Sequence, residues 1–262
     1  MIFYFSATGN TLWAARQVAD ATQESLVDIA AAVNEQRYDY VLDADERIGF
    51  CFPVHGWQLP SIVRLFIQQL HITSTPSHFV YALCTAGDNI GLTMDILREL
   101  LEEKGMMLQS TFSLIMPETY VGLPFMDVDT EEKENAKKAH SASCLHQWLP
   151  LIIKRQTGLK EEVRGRWPSI NTRIIGNFFH RKLITDYKFH VRQERCLRCG
   201  RCVEVCPTHN MQQQEDGTPR WLHTDRCLTC FACYHYCPVH AIEFGRQTKK
   251  KGQYYFDKNN KT

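Results

Sequence analysis

Eight of the eleven cysteines in this 262-residue chain stand in two short runs of the same pattern. The first run begins at Cys196 and ends at Cys206, and the second begins at Cys227 and ends at Cys237. Each run follows the spacing C-x2-C-x2-C-x3-C, and a proline comes directly after its last cysteine. Thiolates at this spacing bind iron–sulfur clusters, three on one cluster and the fourth on its neighbour. The repeat therefore predicts two [4Fe–4S] clusters, each of which carries single electrons.

Structural zinc is the alternative for so many cysteines. A zinc ion usually takes one C-x2-C pair and a second, distant pair, which would leave cysteines of each run without a ligand role. Disulfides are disfavoured by the crowding, because only Cys51, Cys84 and Cys144 lie outside the two runs. We expect these three to be small buried side chains without a chemical role.

The two runs resemble those of two-cluster bacterial ferredoxins. The resemblance implies that each cluster binds three thiolates of one run and one of the other. It assigns Cys196, Cys199, Cys202 and Cys237 to one cluster, and Cys227, Cys230, Cys233 and Cys206 to the second. Residues 211–222 are predicted to form a hairpin between the runs. Phe231 departs from the pattern, since the first run has Gly200 at this place.

A second polar group follows the first apolar run of the chain, residues 2–5. It consists of Ser6, Ala7, Thr8, Gly9, Asn10 and Thr11, and it leads directly into a segment with helical apolar spacing. Gly9 permits close backbone approach, and the N–H groups and hydroxyls of this loop can hold one anion. The loop lacks the motif of a triphosphate or dinucleotide site, which favours a single terminal phosphate. An ordinary turn with a helix N-cap is the alternative.

Short apolar runs at 47–54, 79–84 and 112–116 alternate with helical patterns at 61–70 and 92–104. This alternation is typical of βαβ units and predicts an α/β fold with helices on both faces of a parallel sheet. Together with the loop after the first strand, it makes residues 1–155 resemble flavodoxins. The resemblance implies a five-stranded sheet and an FMN whose phosphate binds the first loop.

The flavin ring of such a fold lies outside the carboxyl ends of the strands, between two further loops. Here these are Pro53, Val54, His55, Gly56 and Trp57, and Thr85, Ala86, Gly87, Asp88 and Asn89. Trp57 offers an aromatic face for the ring, and a buried packing role is its alternative. His55 is a candidate hydrogen-bond or proton partner of the ring, or else a surface histidine.

The chain is predicted to have four parts: a flavodoxin-like FMN-binding domain (1–158), a basic linker with a short helix (159–187), a ferredoxin-like α+β domain with two [4Fe–4S] clusters (188–247) and a frayed tail (248–262). In the linker helix we expect Ile174, Phe178 and Leu183 to face inward and Arg173, Arg181 and Lys182 outward.

Charge is segregated along the chain although the net charge is only +1. Residues 1–150 hold 9 Lys and Arg against 19 Asp and Glu, and residues 151–201 hold 13 against 4. The two regions could dock on one another, or the basic one could receive an acidic partner or remain solvated. The basic residues are scattered and carry no recognition motif, so we expect no nucleic acid partner.

The order of the two domains resembles the fused flavodoxin–ferredoxin proteins of anaerobic prokaryotes, the EFR-type family, whose activity is electron transfer. The resemblance implies an oxidoreductase that passes electrons between two [4Fe–4S] clusters and FMN, and so converts one- and two-electron steps for a redox partner protein. The alternatives are a self-contained FMN-dependent reductase of a small substrate, with residues 116–129 as a lid, and a redox sensor.

The sequence contains no catalytic dyad and no nicotinamide-binding fingerprint, so no catalytic residue is assigned. It also lacks a signal peptide and any apolar run of membrane-spanning length. We therefore expect a cytoplasmic protein without a membrane partner. The sequence does not indicate the oligomeric state.

Overall fold

The computed structural model describes residues 1–73 and 78–258. The first eight strands are β1 (Ile2–Tyr4), β2 (Leu26–Asp28), β3 (Asp39–Val41), β4 (Ile48–Pro53), β5 (His71–Thr73), β6 (Val80–Ala86), β7 (Leu108–Ile115) and β8 (Lys160–Glu161). Six of them form a parallel sheet in the order β2-β1-β4-β6-β7-β8, and β3 pairs with β5 separately. The fold is α/β and flavodoxin-like, as the alternation predicts. The sheet has six strands instead of five because β8, an exposed two-residue strand, joins its edge.

Helices cover both faces of this sheet. They are α1 (Asn10–Thr22), α2 (Ile29–Asn34), α3 (Ser61–Gln69), α4 (Thr93–Glu102) and α5 (Glu131–Ile153). Apolar residues of α1 and α5 pack on one face and those of α2, α3 and α4 on the other, so β6 is buried along its whole length. The strand order reverses at β1, between β2 and β4, and this places the loops after β1, β4 and β6 together at one edge.

The linker contains a continuous helical segment of α6 (Pro168–Ile170), a π-helical stretch (Asn171–Gly176) and α7 (Asn177–Lys182). The prediction that Ile174 and Phe178 face inward is wrong, because they are 66% and 58% exposed. The buried residues are Thr172, Gly176 and Phe179. A π-helical stretch has more residues per turn than an α-helix, and this rotates the inward face. The basic residues of the segment are exposed, as expected.

The cysteine module contains β9 (Phe189–Val191), α8 (Arg201–Glu204), β10 (Met211–Gln213), β11 (Pro219–Trp221), α9 (Ala232–His235) and β12 (Ile242–Phe244). β9 pairs with β12, and β10 and β11 form the predicted hairpin between the cysteine runs. Phe189, Phe231, Tyr234 and Phe244 are central to a small apolar core. Val121, from the segment that follows β7, is completely buried in this same core.

The two domains are in direct contact. The Asn34 side chain at the end of α2 donates to the Pro207 carbonyl (2.9 Å) and accepts from Arg226 (2.8 Å). The charge segregation adds few ion pairs between the acidic and the basic region. Within the described ranges, Arg164 with Asp95 is the one ion pair between residues 1–150 and 151–201.

Residues 248–258 pack across both domains, so the expectation of a frayed tail is wrong for this stretch. Residues 259–262 lie outside the described residues. No helix in the described part of the chain is long and apolar enough to cross a membrane.

Candidate functional site

The eight cysteines of the two runs line two separate cavities. One cavity is bounded by Cys196, Cys199, Cys202 and Cys237. The other is bounded by Cys206, Cys227, Cys230 and Cys233. These are the two sets of four that the ferredoxin resemblance implies, since each cavity takes three thiols from one run and one from the other.

The backbone of each run turns its N–H groups towards sulfur. The N–H of Arg198 lies 3.4 Å from Cys196 Sγ, and the N–H of Thr229 lies 3.4 Å from Cys227 Sγ. The N–H of Ala241 lies 3.2 Å from Cys237 Sγ. Such hydrogen bonds stabilise thiolate charge and tune the potential of an iron–sulfur cluster.

The thiols are not grouped as the ligands of one metal ion would be. A tetrahedral zinc requires ligand atoms that converge to about 2.3 Å from one point. Within residues 1–73 and 78–258, no group of three or more His, Cys, Asp and Glu side chains could hold a single metal ion.

The two thiol cavities differ in their exposure. In the first, Cys199 is exposed and the neighbouring Leu197 is 63% exposed. In the second, none of the four cysteines is exposed, and Leu228 and Phe231 are 5% and 1% exposed. The first set therefore lies at the molecular surface, while the second lies against the flavodoxin-like domain.

A third, larger cavity of about 460 Å³ lies between the two domains. Asn10 and all ten residues predicted in the two ring loops line it, together with residues of the linker helix and of the second cysteine run. Cys230 and Phe231 belong to the wall of this cavity and also to the wall of the second thiol cavity. One side of the large cavity is thus formed by the second cysteine run itself.

The predicted phosphate loop lies at the start of α1, but Ser6, Ala7, Thr8, Gly9 and Thr11 do not line the large cavity. Gly9 adopts a left-handed φ of +96°, and α1 begins after it without a side-chain cap and without an acidic residue in its first turn. The Ser6 hydroxyl accepts from the Gly9 N–H (3.2 Å) and keeps its own proton for donation. An uncapped helix N-terminus of this kind fits an anion.

Trp57 and His55 both lie in the wall of the large cavity. The Trp57 Nε1–H donates to Asn89 Oδ1 (2.8 Å), so it joins the two ring loops and is not a core residue. The His55 carbonyl accepts from His180 Nε2 (2.8 Å). Burial, together with the nearby His180, lowers the pKa of His55 to about 3, so its ring is neutral near pH 7.

Glu118 is a cavity residue that the sequence analysis did not assign. Its Oε1 accepts the N–H groups of Thr119 (2.9 Å) and Tyr120 (2.8 Å). Burial nevertheless raises the pKa of Glu118 above its usual range. Its other oxygen would lie 2.2 Å from a Cβ at position 87, so any side chain there would have to displace the Glu118 carboxylate. The signal in the sequence was a single acid among residues 117–124.

Aromatic residues from three segments close the remaining side of the cavity. The Tyr120 ring packs edge-on against Phe179 (5.2 Å) and Phe231 (5.4 Å), and burial raises the pKa of Tyr120 to about 12. A Cβ at Gly176 would lie 2.5 Å from the Gly56 carbonyl oxygen, so glycine permits the close approach of the linker helix to the first ring loop.

The three remaining cysteines lie away from these cavities. Cys51 and Cys84 are buried in β4 and β6, and burial raises the pKa of the Cys51 thiol to about 12. Cys144, on α5, is partly exposed, and its Sγ lies 3.5 Å from His140 Nε2.

Residues 189–238 match the family described as 4Fe-4S dicluster domain. No curated protein matches the chain. Among solved structures, a putative flavoprotein from Bacteroides eggerthii DSM 20697 is 18% identical over 58% of this chain and 95% of its own, with a TM-score of 0.35. One from Bacteroides uniformis ATCC 8492 is 21% identical over 44% and 88%, with a TM-score of 0.32. A flavodoxin from Streptococcus pneumonia TIGR4 is 16% identical over 56% and 96%, also at 0.32.

The protein thus combines an N-terminal flavodoxin-like α/β domain with a C-terminal 4Fe-4S domain.

Proposed function

We propose that this protein transfers electrons between two [4Fe–4S] clusters and one FMN for a cytoplasmic redox partner protein. The observation that carries the proposal is the shared wall at Cys230, which borders both the second thiol cavity and the large interdomain cavity. A ring bound in the large cavity would lie directly beside the second cluster. Electron transfer needs such proximity.

The residues of the large cavity fit a flavin. The first turn of α1, which meets this cavity at Asn10, would bind the phosphate. Trp57 and Tyr120 would border the ring, and the backbone of Gly56 and Gly87 would approach its edge. FMN supplies two-electron chemistry that can also proceed in single-electron steps. Two single-electron transfers through the clusters therefore match one two-electron change at the flavin.

The difference in exposure supports one order of the centres. Cys196, Cys199, Cys202 and Cys237 would hold the cluster nearest the surface, and this cluster would exchange electrons with the partner. Cys206, Cys227, Cys230 and Cys233 would hold the inner cluster, which passes them on to FMN. The same path serves either direction of flow.

A self-contained FMN-dependent reductase is the second candidate, and one observation favours it. Phe125 and Phe178, at the wall of the cavity, are 83% and 58% exposed, so the cavity has an apolar opening. A small apolar substrate could enter by this opening. Oxidation of the reduced protein by small acceptors, without a partner protein, distinguishes this candidate from a carrier.

The proposal is tested by purifying the protein without oxygen and measuring iron, sulfide and flavin, followed by a reductive titration with visible and EPR spectroscopy. We expect about eight irons and one FMN per chain. Cys230→Ala should lose about four irons, and the matched Cys144→Ala, outside both cavities, should lose none. Zinc in place of iron, or a chain that does not bind FMN, would contradict the proposal.

A further inference from the structure

We infer that Tyr254 and Phe256 are positioning residues that fix the phosphate loop and thereby set the affinity for FMN; they belong to residues 251–256, here called the C-terminal strap. The inference rests on the proposed FMN site. The strap lies in the segment that the sequence suggests is frayed, yet it contacts the phosphate loop, the segment after β7 and the cysteine module.

The strap makes two hydrogen bonds to the phosphate loop and one ring contact with the first turns of α1. The Phe256 N–H donates to the Thr8 carbonyl (2.8 Å), and its ring stacks on Trp13 with centroids 5.4 Å apart. The Tyr254 hydroxyl donates to Asn10 Oδ1 (2.6 Å). A Cβ at Gly9 would lie 2.8 Å from Phe256 Cβ, so the strap occupies the space that a side chain there would need.

These bonds to the strap use acceptors of the loop and none of its N–H groups. Phe256 donates to a backbone carbonyl of the loop and Tyr254 donates to a side-chain oxygen. An anion instead needs N–H groups that donate to it. Asn10 is also held from the other side, since its Nδ2 donates to the Pro117 carbonyl (3.0 Å). The strap therefore orders the loop through a carbonyl and a side-chain oxygen, which are not the groups that bind an anion. A loop that is already ordered binds its ligand more tightly, because less conformational entropy is lost on binding.

The strap also holds the segment after β7 that forms one wall of the large cavity. The Lys251 ammonium is buried and donates to the carbonyl of Val121 (3.0 Å) and to those of Leu123 and Met126. The Gly252 N–H donates to Asp127 Oδ1 (3.0 Å). One buried lysine thus satisfies three carbonyls of a segment that has no regular secondary structure.

At its other side the strap is anchored to the cysteine module. Gln253 Nε2 donates to the carbonyls of Tyr234 (2.6 Å) and Cys237 (2.8 Å), and the Tyr254 N–H donates to His235 Nδ1 (3.1 Å). Cys237 belongs to the proposed ligand set of the outer cluster. The strap therefore joins a cluster ligand to the phosphate loop, and loss of the clusters should weaken FMN binding through it.

The test compares FMN affinity in variants of the full-length protein that retain iron and sulfide. Tyr254→Phe removes only the hydroxyl that binds Asn10, and Phe256→Ala removes the ring that stacks on Trp13. The matched control is Tyr255→Phe, because no hydrogen bond of the Tyr255 hydroxyl is found among the described residues. FMN dissociation constants are measured by the quenching of flavin fluorescence.

We expect Tyr254→Phe to raise the dissociation constant of FMN about fivefold, and Phe256→Ala to raise it about tenfold or more. Tyr255→Phe should stay within about twofold of the wild type. If Phe256→Ala loses its clusters, the single-oxygen change in Tyr254→Phe decides the question.

Unchanged affinity in the two strap variants, with the wild type binding FMN, overturns this inference alone. A wild-type chain that binds no FMN overturns the proposed function and this inference with it.

Discussion

Phe231 combines a buried ring with a backbone conformation that side chains disfavour. Its ring is 1% exposed and lies 5.2 Å from those of Phe189 and Phe244. Its φ is +59°, in the left-handed region, where an ordinary residue loses about 1–2 kcal/mol and glycine loses almost nothing. Gly200 has a φ of +75° at the same place in the first run.

We expect Phe231→Ala to lower the free energy of unfolding by about 4 kcal/mol, the usual cost of truncating a buried phenylalanine. Phe231→Gly also relieves the left-handed backbone, although glycine has more freedom to lose on folding. On balance it should be about 0.5–1 kcal/mol more stable than Phe231→Ala. With about 2–4 °C per kcal/mol, Phe231→Ala should unfold about 8–16 °C below the wild type, and Phe231→Gly about 1–4 °C above Phe231→Ala.

The assay is thermal unfolding without oxygen, followed by circular dichroism at one fixed heating rate, because cluster proteins rarely refold reversibly. Ala232→Gly is the control at the next residue. Ala232 begins α9 with ordinary helical backbone, so glycine should cost about 1 kcal/mol there. The reasoning is refuted if Phe231→Gly unfolds below Phe231→Ala by as much as Ala232→Gly unfolds below the wild type.

Two further predictions concern the large cavity. Burial raises the pKa of Glu118, so the folded chain binds this proton more tightly than the unfolded chain, and the stability from this group is lost as pH rises through the raised pKa. The difference in Tm, wild type minus Glu118→Gln, should therefore decrease as the pH rises from 4.5, the ordinary pKa of a glutamate, towards neutrality. A Tm difference that does not change with pH would contradict this. Trp57→Phe keeps an aromatic face but loses the bond to Asn89, so FMN should bind about fivefold more weakly. Trp167→Phe, at an exposed tryptophan, is its control in fluorescence titrations.

The central strands of the sheet were predictable because their signal is local. β4 and β6 are continuous apolar runs, and a strand that is buried on both faces requires such a run. β8 was missed because Lys160 and Glu161 are exposed and carry no apolar pattern. The phosphate loop and the cysteine runs were likewise visible, since all their residues are close together in the sequence.

The strap could not be predicted, because its bonds join residues far apart in the chain. Three consecutive lysines at 249–251 are typical of a solvated tail. Lys251 is nevertheless buried, since carbonyls more than 120 residues away satisfy its ammonium. The inward face of the linker helix was predicted wrongly for a related reason. The π-helical stretch cannot be recognised from the spacing of apolar residues in the sequence.

Val121 shows that the two halves of the chain are interlocked. This residue lies beyond the last long strand of the first domain, yet it is completely buried in the apolar core of the second. Residues 254–256 of the second half in turn contact the loop after β1 in the first. Exchange of the C-terminal half for another ferredoxin would therefore leave Val121 and its neighbours without a core to enter. A working chimera must transplant this segment together with the cluster module that encloses it.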